Sequence, residues 1–146
     1  MAGISEPQPG YPDGLVYVLE DASGIHTPLA WAEIAVTLYH KYGADKVIAE
    51  VNNGGDLVET NVRQVDRSIA YKAVRAAKGK YARAEPVSAL YEQSRVRHLP
   101  GLNDLELQMT TWSAGTGEKS PDRIDALVWG ITELALVQHT PEENFF

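Results

Sequence analysis

Three acidic residues have positions that suit metal chemistry. Glu50 lies near the end of an apolar run at residues 46–51, and a buried acid is rare unless it is paired or binds a metal ion. Asp122 and Asp125 are three residues apart in the first turn of an expected helix, so they project from one side of it. Together the three carboxylates would suit a hard, oxygen-preferring cation such as Mg²⁺.

Each acid also has an ordinary structural explanation, and the sequence leaves both readings open. Glu50 would face solvent if its strand lay at the edge of a sheet. Asp122 is favoured at a helix start by the helix dipole alone. Asp125 is harder to explain in that way, because its neighbours Ile124 and Leu127 belong to the side that the helix should bury.

A basic segment is the second candidate for chemistry. The formal net charge of −7 argues against a simple nucleic-acid coat protein. Between Arg63 and Arg97, however, nine basic residues stand against three acidic ones. Lys78, Lys80 and Arg83 cluster there and could hold a DNA backbone with little base preference. The alternative is a solvated charged surface without a partner.

Other kinds of site find little support. The chain has no cysteine, which excludes disulfides and thiolate metal sites, and it has no Gly-x-Ser-x-Gly nucleophile motif. Its four histidines show no metal-ligand spacing. The glycine turn at residues 52–56 matches neither the dinucleotide-binding nor the P-loop pattern. A generic nucleotide-binding domain is therefore the weaker interpretation.

Strands and helices alternate in the elements that must position these residues. We expect strands at 15–20, 46–51, 71–75 and 95–99, and helices at 28–42, after the glycine turn, at 82–93 and at 122–137. Residues 102–109 should form a short helix or turn, and residues 110–119 a polar loop. This order predicts one α/β domain with a sheet that is at least partly parallel.

The ends of the chain differ in composition from its middle. Residues 1–14 are rich in proline and glycine and are predicted to be a flexible lead. The domain is expected to cover residues 15–137, with a frayed tail at 138–146. No apolar run is long enough to predict a membrane-spanning helix.

Four segments, in order and with compatible spacing, resemble one protein family. They are VLEDASG at 18–24, AEVNNGGD at 49–56, KYARAEPV at 80–87 with LYEQ at 90–93 and RV at 95–96, and SPDRIDALVW at 120–129. The family is the C-terminal nuclease domain of the large terminase subunit of tailed phages and phage-like gene transfer agents. The resemblance runs from about Leu15 to Leu136.

The resemblance implies a fold, a cofactor and partners. It implies a ribonuclease H-like mixed sheet flanked by helices, and Mg²⁺ or Mn²⁺ held by Glu50, Asp125 and, third, Asp122. The implied activity is metal-dependent endonucleolytic cleavage of concatemeric double-stranded DNA in the cytoplasm of a bacterial host. The procapsid portal and the small terminase subunit are further implied partners, and no membrane is involved.

The start of the chain departs from the family pattern. Family members begin this domain with a strand that ends in an aspartate, followed by a second strand that pairs with it. Only 14 residues precede Leu15 here, and neither Asp13 nor Asp21 lies in the expected place. The comparison therefore predicts an N-terminally truncated domain that lacks the first one or two strands, and cleavage that is weak or absent.

Two other hypotheses remain open at this point. The chain could be a non-catalytic DNA- or capsid-binding assembly module from a prophage remnant, with the basic segment as its working surface. It could also self-associate, because a truncated sheet exposes an unpaired edge to a second copy.

Overall fold

Strands and helices alternate along the chain in a computed structural model that describes residues 1–51, 56–112 and 122–137. In chain order the elements are β1 (Ala2–Ile4), β2 (Val16–Val18), α1 (Pro28–Tyr42), β3 (Val47–Glu50), α2 (Asp56–Val65), β4 (Tyr71–Val74), α3 (Lys80–Glu92), β5 (Val96–His98), α4 (Asn103–Thr111), α5 (Asp122–Ile131) and a π-helical segment (Thr132–Leu136). The predicted α/β fold, with strands that are partly parallel and flanked by helices, is confirmed.

The described strands form two sheets. One has the order β1-β2-β5, in which β1 is antiparallel to β2 and β2 is parallel to β5. The other contains only β3 and β4, which are parallel, with Glu50 opposite Val74 at their carboxyl ends. The connection from β3 to its parallel partner β4 runs through α2, as neighbouring parallel strands require, whereas the connection from β2 to β5 contains three helices and the strands β3 and β4.

Helix α1 begins and ends at the residues that the sequence predicts. The hydroxyl oxygen of Thr27 accepts a hydrogen bond from the Ala30 N–H, and Pro28 occupies the first turn. Gly43 ends the helix in the left-handed conformation with φ of 57°, and its N–H donates to the carbonyl of His40. This end fixes where the chain turns toward β3.

Two apolar clusters hold the layers together. The larger one packs α3, α4 and α5 against β2 and β5, and the smaller one packs α1 and α2 beside β3. The fully buried members of these clusters are Val16, Ala32, Val62, Ile69 and Ile131. The helices that carry the candidate site, α3 and α5, therefore rest on the larger cluster.

The proline- and glycine-rich lead contains a strand that the sequence did not predict. Residues of β1 pair with β2 from Ala2–Val18 to Ile4–Val16, and the Ser5 N–H then donates to the carbonyl of Leu15. The expectation of a flexible lead is therefore wrong for residues 2–4. Pairing to β2 supplies backbone hydrogen bonds that outweigh the low strand propensity of this segment.

Some expectations fall outside the described residues. They are the glycine turn at 52–55, the polar loop from 113 to 119, the helix start at Ser120 and Pro121, and the tail at 138–146. Within the described part of the chain, no helix has the length and apolar character needed to span a bilayer.

We predict that Gly14→Ala destabilises the fold because the lead is docked. Gly14 has φ of 77°, and a Cβ atom there would lie 2.1 Å from the Ser5 carbonyl oxygen. The variant should lower the free energy of unfolding by about 2 kcal/mol, measured by chemical denaturation. Gly79→Ala is the control, since nothing lies within 4 Å of its Cβ position. Equal stability of the two variants would mean that residues 2–14 are not docked.

Candidate functional site

Glu50 ends β3 and contacts the last helix. Its Oε2 atom accepts a hydrogen bond of 3.0 Å from the indole Nε1–H of Trp129 on α5. Its Oε1 atom lies 3.7 Å from a terminal nitrogen of Arg83 on α3. The Glu50 side chain is about one quarter exposed, so this acid lies between the strand and two helices rather than on a solvent-facing edge.

Arg83 is the most enclosed cation of the site. Its guanidinium carbon lies 4.7 Å from the ring centre of Trp129, a cation–π geometry. Its side chain is only 12% exposed, and its Nε and Nη1 atoms are buried without a hydrogen-bond acceptor among the described residues. Buried donors without acceptors are rare in folded proteins. Arg83 is therefore held by its ion pair with Glu50 and its contact with the Trp129 ring rather than by hydrogen bonds from Nε and Nη1.

Asp125 lies on the same side of α5 as Trp129. Its Oδ2 atom accepts a hydrogen bond from Lys80 Nζ, and its side chain is 15% exposed. Lys80 and Arg83 are three residues apart on α3, so they face α5 together. The structure thus brings four predicted site residues, Glu50, Asp125, Lys80 and Arg83, to one place.

The other two predicted residues lie further out. Asp122 is exposed at the start of α5, on the rim of the cavity that Glu50 and Asp125 also line. Lys78 is exposed in the loop before α3 and lines the same cavity. Neither is drawn into the contacts among Glu50, Asp125 and their cations.

Asp21 comes near the start of α5 although it lies far from it in sequence. Its Oδ2 atom accepts a hydrogen bond of 2.9 Å from Arg123, and its Oδ1 atom accepts from the Ser23 hydroxyl and N–H. Burial disfavours its ionised form, but the hydrogen bonds from Ser23 and Arg123 prevail, and the pKa of Asp21 is lowered. The Asp21 carboxylate therefore has a structural role, because it binds Arg123 at the start of α5.

Glu133 is a charged residue of this cavity that the sequence analysis missed. It is only 5% exposed. Its Oε1 atom lies 2.6 Å from Lys72 Nζ and 3.6 Å from Lys46 Nζ. Lys72 lies on β4 and Lys46 immediately before β3, so both are distant from Glu133 in sequence. No local sequence pattern therefore predicts that these lysines meet Glu133. Because it is paired with two cations, Glu133 has a structural role in joining the last helix to the second sheet.

The carboxylates fit a divalent cation in type but not in arrangement. Carboxylate oxygens are the ligands that Mg²⁺ and Mn²⁺ prefer. Among residues 1–51, 56–112 and 122–137, however, no group of three or more histidine, aspartate or glutamate side chains could hold a metal ion. Glu50 and Asp125 are instead neutralised by Arg83 and Lys80. The described residues therefore do not form a complete metal centre.

We predict that Arg83 supports stability, whereas Lys78 does not. Arg83→Ala removes the contact with Trp129 and leaves Glu50 without its cation, so the free energy of unfolding should fall by about 1–3 kcal/mol. Lys78→Ala changes the same charge at an exposed position and should stay within about 0.5 kcal/mol of the unmodified chain. Urea denaturation followed by circular dichroism measures both. Equal stabilities would show that the Arg83–Trp129 contact contributes nothing.

The comparison with protein families agrees with this arrangement of strands and helices. The family model described as "Terminase RNaseH-like domain" matches residues 14–134, which is most of the chain. No curated protein and no solved structure matches the chain significantly. The matched range includes Glu50, Asp125 and the cations Lys78, Lys80 and Arg83, together with the elements that carry them. The chain therefore belongs to the family of terminase RNase H-like domains.

Proposed function

We propose that this chain is the nuclease module of a DNA-packaging terminase and that its acidic site is incomplete on its own. The observation that carries the proposal is the convergence of Glu50 and Asp125, from β3 and α5, on one cavity within a terminase RNase H-like domain. Family membership supports a nuclease-type role for these acids. The lack of a third carboxylate beside them, among the described residues, supports an inactive isolated chain.

Double-stranded DNA is the substrate that the charges favour. Lys78, Lys80 and Arg83 line the cavity that holds the acids, so a phosphate backbone bound to these cations would lie beside the carboxylates. Lys80 and Arg83 already contact Asp125 and Glu50. DNA phosphates would therefore compete with these two acids for Lys80 and Arg83. Lys78 is exposed, so it would bind a phosphate without first leaving a carboxylate.

A divalent cation would be required for cleavage in this proposal. Glu50 and Asp125, with Asp122 as a third residue lining the same cavity, are the protein ligands that we propose for this cation. Because the described residues do not complete such a centre, we derive no reaction step for the isolated chain. Portal and small-subunit contacts belong to the same proposal and follow from the family alone.

The first test is plasmid nicking by the purified chain in Mn²⁺. We expect the unmodified chain to nick plasmid no faster than Glu50→Gln or Asp125→Asn. The unmodified site is proposed to lack one charged group already, and such a loss lowers the rate roughly 100-fold or more. Agarose gels of supercoiled plasmid measure the outcome. Fast nicking by the unmodified chain that both variants abolish would show that the site is complete, and would contradict the incomplete-site proposal.

The second test separates DNA binding from cleavage. Binding of a labelled duplex, measured by fluorescence anisotropy across a range of salt concentrations, should weaken linearly on a log–log scale. Lys78→Ala should reduce the slope by about 0.9, the value for one phosphate contact. Lys41→Ala is a matched charge control, because Lys41 lies on α1 and contacts Glu20 at 2.5 Å. An equal effect of both variants would place the DNA elsewhere.

The assembly-module alternative predicts a different combination of these results. It requires salt-dependent DNA binding that Asp125→Asn leaves unchanged, together with no cleavage under any condition. In the nuclease proposal, Asp125→Asn releases Lys80 from its carboxylate and should strengthen DNA binding. The direction of this single variant therefore distinguishes the two functions.

A further inference from the structure

Trp129 contacts both members of the Glu50–Arg83 ion pair. Its indole Nε1–H donates a hydrogen bond of 3.0 Å to Glu50 Oε2. Its ring centre lies 4.7 Å from the guanidinium carbon of Arg83, and an Arg83 nitrogen lies 3.7 Å from Glu50 Oε1. The three side chains therefore meet in three contacts, and Trp129 is the uncharged member of the set.

The contact between Trp129 and Arg83 is independent of the ion pair. A cation over an aromatic ring is attracted by the electrons of that ring, and the attraction is stronger where water is excluded. Arg83 is only 12% exposed. The N–H groups with which an arginine binds carboxylates and phosphates lie at the edge of its guanidinium plane. Exchange of one anion for another therefore does not require that Arg83 leave Trp129.

The contact between Trp129 and Glu50 is closer than the ion pair. The 3.7 Å between Arg83 and Glu50 exceeds the length of a hydrogen bond, whereas the 3.0 Å between Trp129 and Glu50 lies in the normal range. Glu50 therefore keeps a hydrogen-bond donor when Arg83 turns to another anion. Trp129 thus holds the carboxylate and the guanidinium separately.

Helix α5 gives Trp129 a fixed position. Its neighbours Leu127, Val128 and Ile131 are buried in the larger apolar cluster, and Trp129 itself is half-buried. Trp129 follows Asp125 by four residues, so the two side chains lie on the same side of the helix. The ring is therefore one helical turn from the Lys80–Asp125 pair, on a backbone that core packing holds.

Lys80 is held less firmly than Arg83. Its side chain is 38% exposed, against 12% for Arg83. Among the described residues, no aromatic ring lies beneath its ammonium group. A lysine ammonium is also a point charge on a flexible stem, whereas a guanidinium is planar and rigid. Of the two cations, Arg83 is therefore the one whose position is set before an anion binds.

We propose that Trp129 is a positioning residue for DNA binding. It keeps Arg83 at the cavity while the guanidinium exchanges the Glu50 carboxylate for a backbone phosphate, and it keeps Glu50 in place when the exchange occurs. The inference rests on the proposed function, because it takes duplex DNA as the polyanion that enters the cavity. It adds to that function a residue that has no charge of its own.

Two substitutions separate the ring from its N–H group. Trp129→Phe keeps an aromatic ring for Arg83, and Trp129→Leu removes it. Binding of a labelled duplex is measured by fluorescence anisotropy across a range of salt concentrations. Trp129→Leu should bind about tenfold more weakly at low salt and should reduce the log–log slope by about 0.9, the value for one phosphate contact. Trp129→Phe should keep the slope. Equal slopes for Trp129→Leu and the unmodified chain would overturn the proposal.

Trp31→Leu is the matched control. Trp31 lines the same cavity from α1, and no cation lies over its ring in the part of the chain that the structure describes. A purely structural role of a tryptophan lowers stability but leaves the salt slope unchanged, and we expect this result for Trp31→Leu. An equal loss of slope in both leucine variants would assign the effect to the cavity wall and would also overturn the proposal.

Nuclear magnetic resonance of the unmodified chain keeps the test decisive if Trp129→Leu fails to fold. An aromatic ring shifts the signals of protons above it upfield. The Nε–H signal of Arg83, assigned by its loss in Arg83→Lys, should therefore lie upfield of the other arginine signals. The shift should persist when a saturating duplex is added. A signal at the ordinary position, or loss of the shift on duplex binding, would overturn the proposal.

These outcomes separate the inference from the proposed function. An upfield Arg83 signal in a chain that binds no duplex would contradict the proposed DNA binding, and with it the role of Trp129 toward phosphate, although the contact itself would stand. Salt-dependent duplex binding with an unshifted Arg83 signal would overturn the inference alone and would leave the proposed function intact.

Discussion

The contact of the Arg83 guanidinium with the Trp129 ring and the Glu50 carboxylate joins three elements at the candidate site. Arg83 comes from α3, Trp129 from α5 and Glu50 from the end of β3. The Lys80–Asp125 pair repeats the connection between α3 and α5 one turn away. Each of these two acids is paired with a cation from α3. Helix α3 therefore supplies the cations that balance both acids of the candidate site.

The pairing of both acids with cations affects their ability to bind a metal ion. A carboxylate that holds a lysine or an arginine is a weaker metal ligand than one that is free, because the cation must first be displaced. Binding of a phosphate backbone to Lys80 and Arg83 would release the carboxylates at the same time. The arrangement thus couples the two proposed activities, DNA binding and metal binding, through the same pair of cations.

The division of the strands into two sheets is the second constraint. A sheet that ends beside a cavity leaves backbone donors and acceptors unpaired, and these groups are costly when they are shielded from water. The Glu133 ion pairs with Lys46 and Lys72 and the docking of β1 on β2 hold the two sheets in position on either side. The cavity between the sheets and the acidic site at its end are therefore parts of one feature, since Glu50 and Arg83 belong to both.

Local patterns in the sequence determined most of the elements. The Thr27 and Pro28 start of α1, its end at Gly43, and the apolar runs of β3 and β4 depend on neighbours in sequence, so they were predictable to within a residue or two. The motifs also indicated Glu50, Asp125 and Asp122 as candidate metal ligands, and they indicated the family. Tertiary structure alone decided the rest. The strand at Ala2–Ile4 exists because β2 offers it hydrogen bonds, and Glu133 is buried because lysines distant in sequence meet it. Lys80 and Arg83 were expected on a DNA surface, but packing of α3 against α5 pairs them with the acids, an arrangement that no local spacing encodes.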